Sequence, residues 1–145
     1  MPNDLAYLAR RMKDLANTVE ANGPKLVTAI VTNLGPTLIY STPVDTSRAR
    51  INWQPSIGSV PSDVLFPYPD KPPAADYGGK TAVSNILSLA NKFKGGTYFA
   101  ITNNLDYIQD LNNGTSAQAP AAFVEQSIAM AMRAVEKFRM LRNAN

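Results

Sequence analysis

Thr42–Trp53 reads TPVDTSRARINW, and the hydrophobic period of the chain changes inside it. Upstream, apolar residues recur at steps of three and four: Leu5, Leu8, Met12, Leu15 and Val19, then Leu26, Val27, Ile30, Val31, Leu34 and Leu38. That spacing lays one apolar stripe on each of two helices. From Arg48 the period is two. Ala49, Ile51 and Trp53 face one way, and Arg48, Arg50, Asn52 and Gln54 the other, which is the pattern of a strand with one buried side. Helices before this switch and strands after it predict an α+β fold.

The boundaries follow from local chemistry. Asn3 or Asp4 can cap the first helix, and Asn22-Gly23 can end it. Its narrow stripe suits either the chain's own core or a seam against a neighbouring subunit. Pro24 suits the first position of the second helix, where its missing N–H is harmless. Gly35-Pro36 inside that helix predicts a kink, or a stop near Leu34. Pro55 ends the strand or confines its continuation to a sheet edge.

Six of the 11 prolines fall between Pro55 and Pro73, a density that allows neither a helix nor a central strand. Residues 55–79 therefore read as a long Pro-rich arm or lid, or as a surface loop; Phe66, Tyr68 and Tyr77 argue against plain disorder. Val83, Ile86, Leu87, Ala90 and Phe93 mark a third helix, stopped by Gly95-Gly96. Thr97–Thr102 alternates again and reads as a second strand. Tyr107–Leu111 can form a helical turn, and Asn112-Asn113-Gly114 is a turn signal. Pro120 opens the last helix, with Val124, Ile128, Ala131, Val135 and Phe138 as its buried stripe. Glu125 near its start and Lys137, Arg139 and Arg142 near its end complement the helix dipole. No internal repeat or second domain is visible, so residues 1–145 are expected to form one domain.

Composition narrows the function. The charged fraction is 17%, below the usual ~25%, so part of the surface is either covered by other subunits or simply polar. A net charge of +3 without a dense Lys/Arg run permits nucleic-acid contact but does not argue for it. The chain has no Cys and no His, which removes disulfides, thiol nucleophiles, common zinc sites and His-based triads. No signal peptide and no apolar run of membrane-spanning length is read, so use in a cytoplasm, or in a particle assembled there, is expected.

The remaining constellations read as structural. Asp45, Thr46 and Ser47 could be imagined as a hydroxyl nucleophile beside a carboxylate, but no base accompanies them; behind Pro43 they suit an Asx-turn. Asp106 and Asp110 could share a helical face, yet two carboxylates make a poor metal site. Arg48 and Arg50, with Arg10, Arg11 and Lys13 and with Arg133, Lys137, Arg139 and Arg142, could track phosphates, or form solvated faces or intersubunit ion pairs. Trp53, opposite the two arginines on the strand, reads as core. No catalytic, metal-binding or cofactor-binding residue is expected.

A second segment, ITNNLDYIQDLNNGTSAQAPAAFVE at Ile101–Glu125, is also rich in turn-forming residues. With Thr42–Trp53 it resembles the tail-completion, or tail-component, family of neck proteins of long-tailed bacteriophages. That family carries a motif close to TPVDTGRAR-x-NW, matched here by Thr42, Pro43, Val44, Asp45, Thr46, Arg48, Ala49, Arg50, Asn52 and Trp53. A strand then ends in a motif like I-x-NNLPYA, matched by Asn103, Asn104, Leu105 and Tyr107. A QAPAG-like segment follows, matched by Gln118, Ala119, Pro120, Ala121 and Phe123, before a C-terminal helix. The order and spacing span roughly Leu26–Met140. Ser47 and Ala122 stand where the family commonly has glycine, and Asp106 where it commonly has proline.

The resemblance implies helices packed on a small antiparallel sheet, and a non-enzymatic virion protein at the neck or tail top. Its partners would be copies of itself in a ring, commonly hexameric, a head-side connector or stopper, and a tail terminator or tail tube protein. Phage DNA would pass through the channel without sequence-specific binding, and no membrane is involved. The motif residues, and the 55–79 arm, would carry turns and assembly contacts. A tail terminator capping the tube and a small basic nucleic-acid-binding protein are the alternatives.

Overall fold

The computed structural model describes residues 4–19, 23–44, 48–65, 78–114 and 121–143. In chain order they form α1 (Asp4–Val19), α2 (Gly23–Ser41), α3 (Arg48–Ile51), β1 (Gln54–Ile57), α4 (Gly79–Ala90), β2 (Phe99–Thr102), α5 (Ile108–Asn112) and α6 (Phe123–Asn143). β1 and β2 pair antiparallel, Gln54 opposite Thr102 and Ile57 opposite Phe99. The result is a small α+β fold, predominantly helical.

α2 is the central element, packed against both α4 and α6. It does not stop at Leu34 but runs through Pro36 to Ser41. An internal proline costs a helix about 3 kcal/mol. Burial of Leu38 and Ile39 beyond it offsets that cost. Gly35 makes room on the same helix: a Cβ there would lie 3.2 Å from Ile86 Cγ2, so α2 and α4 approach closely at this point. The core is built from Val31, Leu38, Ile39, Trp53, Ala82, Ile86, Ala90 and Phe123.

The first strand is displaced from its predicted place. Arg48–Ile51 is one helical turn, and β1 begins at Gln54. The Asn52 amide donates to the Arg48 carbonyl at 2.9 Å, and Trp53 N–H donates to the Arg50 carbonyl at 3.4 Å, which closes the turn. Ala49 and Trp53 are both buried, and four residues apart they share a helical face as readily as a strand face. The alternation was therefore ambiguous over so short a run. Pro55 lies inside β1, opposite Ile101, in a sheet where each strand is an edge.

Phe93 lies beyond the end of α4 yet is buried, with its ring edge-on to Phe99 at 6.1 Å. Gly95 and Gly96 then take φ of 87° and 79°. On α6, Ala131 and Val135 are buried as the predicted stripe requires, while Val124 and Ile128 are only half-buried. Phe123 and Ser127 go deeper. The difference arises because α6 contacts two elements: Phe123 joins the α2 core, and Met132 meets Leu8 of α1. On the α1 stripe Leu8 is buried, whereas Met12 is 55% exposed. Arg11 of α1 ion-pairs with Glu136 of α6. No described helix is long and apolar enough to cross a membrane.

Candidate assembly site

The motifs from the two halves of the chain meet at the C-terminal end of α2. Thr42 is buried there, its hydroxyl donating to the Leu38 carbonyl at 2.7 Å and accepting from Trp53 Nε1 at 2.9 Å. Pro43 is buried beside it. The Asn103 amide donates to the Ala49 carbonyl at 3.0 Å, tying the end of β2 to α3. Leu105, the next apolar residue, is buried.

Three asparagines do similar work with both ends of their amides. Asn52 donates to Arg48 and accepts the Leu65 N–H at 2.7 Å. Asn103 donates to Ala49 and accepts the Leu105 N–H at 3.2 Å. Asn112 donates to the Glu125 carboxylate at 2.9 and 3.1 Å and accepts the Val124 N–H at 2.9 Å. Each side chain satisfies backbone or carboxylate groups that regular secondary structure leaves unpaired. Asn104 adds donation to the Pro61 and Asp63 carbonyls at 2.8 and 3.1 Å, and Gln54 Nε2 donates to Asp63 O at 2.7 Å. Of the Pro-rich segment, residues 55–57 thus belong to β1 and Pro61, Asp63 and Leu65 are bonded to this hub, while residues 66–77 lie outside the described residues.

Asn112 also explains how α6 starts. Ala122 occupies the N-cap position, since its carbonyl accepts the Gln126 N–H at 3.0 Å. Alanine has no side-chain acceptor, so Asn112 supplies one from α5 to the N–H of Val124, while Glu125 receives its amide. Ala122 takes φ of 63°, the left-handed region. A Cβ there costs about 1–2 kcal/mol. Ala122→Gly is therefore expected to raise stability by about 1 kcal/mol, after allowing for the looser unfolded chain. A urea midpoint that falls instead would show that the turn does not strain alanine.

The two arginines do not share an exposed face as the strand reading expected. Arg48 lies over the Tyr107 ring at 5.6 Å, and Arg50 over the Tyr40 ring at 5.2 Å with a 3.3 Å hydrogen bond to the Tyr40 carbonyl. Both are half-buried. Each guanidinium lies over a tyrosine face of the same chain. Trp53 is 7% exposed and belongs to the core, as expected.

Among the site residues read from sequence, Pro43, Arg48, Arg50, Trp53, Asn103, Asn104 and Tyr107 gather around this hub. Asp45, Thr46, Gln118 and Pro120 lie outside the described residues. Asn52 and the Asn112–Glu125 pair were not singled out as site residues. The available signal was Glu125 in the first turn of α6 with no capping side chain at Ala122. Among the described residues no group of three or more His, Cys, Asp or Glu could hold a metal ion. Among the described residues the hub's asparagine side chains hold backbones in place.

Asn103→Ala is expected to cost about 2 kcal/mol, because it leaves the Ala49 carbonyl and the Leu105 N–H without partners. Chemical denaturation measures this; a loss under about 0.5 kcal/mol, the scatter of neutral surface changes, would mean that the link carries no weight. The chain matches no family model, no curated protein and no solved structure.

Proposed function

We propose that this chain is a ring-forming tail-completion or neck subunit of a long-tailed bacteriophage. It would be a non-enzymatic virion protein that helps join the tail to the DNA-filled head. Its partners would be other copies of itself, a head-side connector and the tail terminator or tail tube.

The main support is the convergence of the motifs that carry the resemblance. The Thr42–Trp53 stretch and the Asn103–Tyr107 stretch are distant in sequence, yet the Asn103 amide reaches the Ala49 carbonyl directly. A second support is the left-handed φ of Ala122, the position at which the family commonly has glycine. Residues that recur together because they build one hub would show this arrangement. The hub's chemistry also suits a structural role: among the described residues Asn52 and Asn103 are engaged by backbone groups at both ends of their amides.

The test is quantitative mass spectrometry of purified particles of the encoding phage, with copies of this chain counted against the portal subunit. A fixed low ratio amounting to one ring per particle is expected. Absence from particles would overturn the reading and bring forward DNA binding or a transient assembly role.

A further inference from the structure

The two outer edges of the sheet are not equivalent. Gly58 N–H donates to the Tyr98 carbonyl at 2.9 Å, and Ile57 stands opposite Phe99. Antiparallel alternation then points the N–H and C=O groups of Gln54, Ser56, Ala100 and Thr102 between the strands. It turns those of Pro55, Ile57, Phe99 and Ile101 outward. On the β1 side the outward row is broken by Pro55, which has no N–H to offer. On the β2 side Phe99 and Ile101 present complete N–H and C=O groups, and no other described backbone segment pairs with them. Their side chains pack against the core, so this edge is held in place.

We propose that β2 pairs antiparallel with β2 of a second copy of this chain, about a two-fold axis at Ala100. The edge is self-complementary in that register. Phe99 of each copy faces Ile101 of the other, and every outward N–H meets an outward C=O. The side chains select the same partner. Tyr98, 51% exposed, lies on the sheet face that carries Ala100 and Thr102. It would stand opposite Thr102 of the second copy, an aromatic against a β-branched residue, with the small Ala100 leaving room for the ring. Two strands are marginal by themselves, and pairing makes four. Pro55 then lies on both outer edges of the enlarged sheet, so the sheet ends at four strands. The contact is isologous, unlike the heterologous contacts that close a ring, and it does not depend on the proposed function.

The chain has no cysteine, which makes the test clean. Across the two-fold axis the Ala100 pair would be the non-hydrogen-bonded kind, with Cα atoms about 4.5 Å apart, within reach of a disulfide. Ala100→Cys under mild oxidation is expected to give a covalent dimer. Val60→Cys, 60% exposed and away from the edge, is expected to stay monomeric. In sedimentation at micromolar concentration the unmodified chain is expected to be a dimer. Tyr98→Lys, a change at an exposed position, is expected to weaken that dimer roughly tenfold or more with an unchanged circular dichroism spectrum. A monomer throughout the micromolar range would overturn the proposal. So would equal cross-linking of the two cysteine variants, or a dimer indifferent to Tyr98→Lys.

Discussion

Trp53→Ala is expected to remove about 4 kcal/mol of stability, the middle of the range for deleting a buried large aromatic. The ring lies in the core with Val31, Leu38, Ile39 and Phe123, so its loss opens a cavity at the meeting point of α2, β1 and α6. The indole N–H also donates to Thr42 Oγ1 at 2.9 Å, and that hydroxyl fastens the last turn of α2 through the Leu38 carbonyl. Small domains hold only about 5–15 kcal/mol in total, so this variant stands close to the unfolding threshold. Trp53→Phe separates the two contributions. It keeps most of the apolar volume and loses the hydrogen bond, and a loss of about 1–2 kcal/mol is expected. Urea unfolding followed by far-ultraviolet circular dichroism suits both variants, because the only tryptophan of the chain is the one removed. A loss under about 1 kcal/mol for Trp53→Ala would mean that the indole is not a core residue.

Asn52→Ala is expected to cost about 3 kcal/mol, for a different reason. Asn52 is fully buried, yet its worth is polar. Removing its amide strips the Leu65 N–H of its acceptor and the Arg48 carbonyl of the bond that closes α3. Each orphaned group costs about 1–3 kcal/mol, and the vacated volume adds to that. Asn52→Asp should be nearly as harmful, since a carboxylate accepts from Leu65 but cannot donate to Arg48 and is buried without a described cation bonded to it. Denaturation midpoints of the two variants check this. An Asn52→Asp variant as stable as the parent would show that donation to Arg48 is dispensable.

The parts of the fold legible in the sequence were those with a long period. α1, α2, α4 and α6 each carry enough repeats of the three-to-four spacing to exclude a strand. β2 was legible because Thr97–Thr102 combines alternation with aromatic and β-branched residues between Gly95-Gly96 and Asn103-Asn104. Arg48–Gln54 misled because Ala49 and Trp53 satisfy both periods, and the deciding fact, the Asn52 amide returning to Arg48, is a tertiary detail of one side chain. At Pro36 the sequence left a kink or a stop near Leu34 open, and the helix does not stop. Local propensity favours a stop, but burial of Leu38 and Ile39 on the far side outweighs it. On α6, a single stripe could not describe a helix that meets α2 on one side and α1 on another.

The candidate site shows the same division. That Thr42–Trp53 and Ile101–Glu125 are built from turn-forming residues was visible directly. That they form one hub was not, because the joining bonds run from Asn103 to Ala49 and from Asn104 to Pro61. Nor was the pairing of Arg48 and Arg50 with Tyr107 and Tyr40 visible, since it needs a helical turn where the spacing suggested a strand.

The central claim is that asparagine side chains hold this hub together, and amide hydrogen exchange tests it most directly. The N–H groups of Leu65, Leu105 and Val124 each donate to an asparagine Oδ1, of Asn52, Asn103 and Asn112 respectively. Leu65 and Leu105 lie outside helices and strands, and Val124 lies in the first turn of α6, where no helical acceptor exists. All three are expected to exchange far more slowly than unfolded-chain amides, and Leu65 is expected to lose its protection in Asn52→Ala while Val124 keeps it. Exchange of all three at unfolded-chain rates in the parent protein would contradict the account.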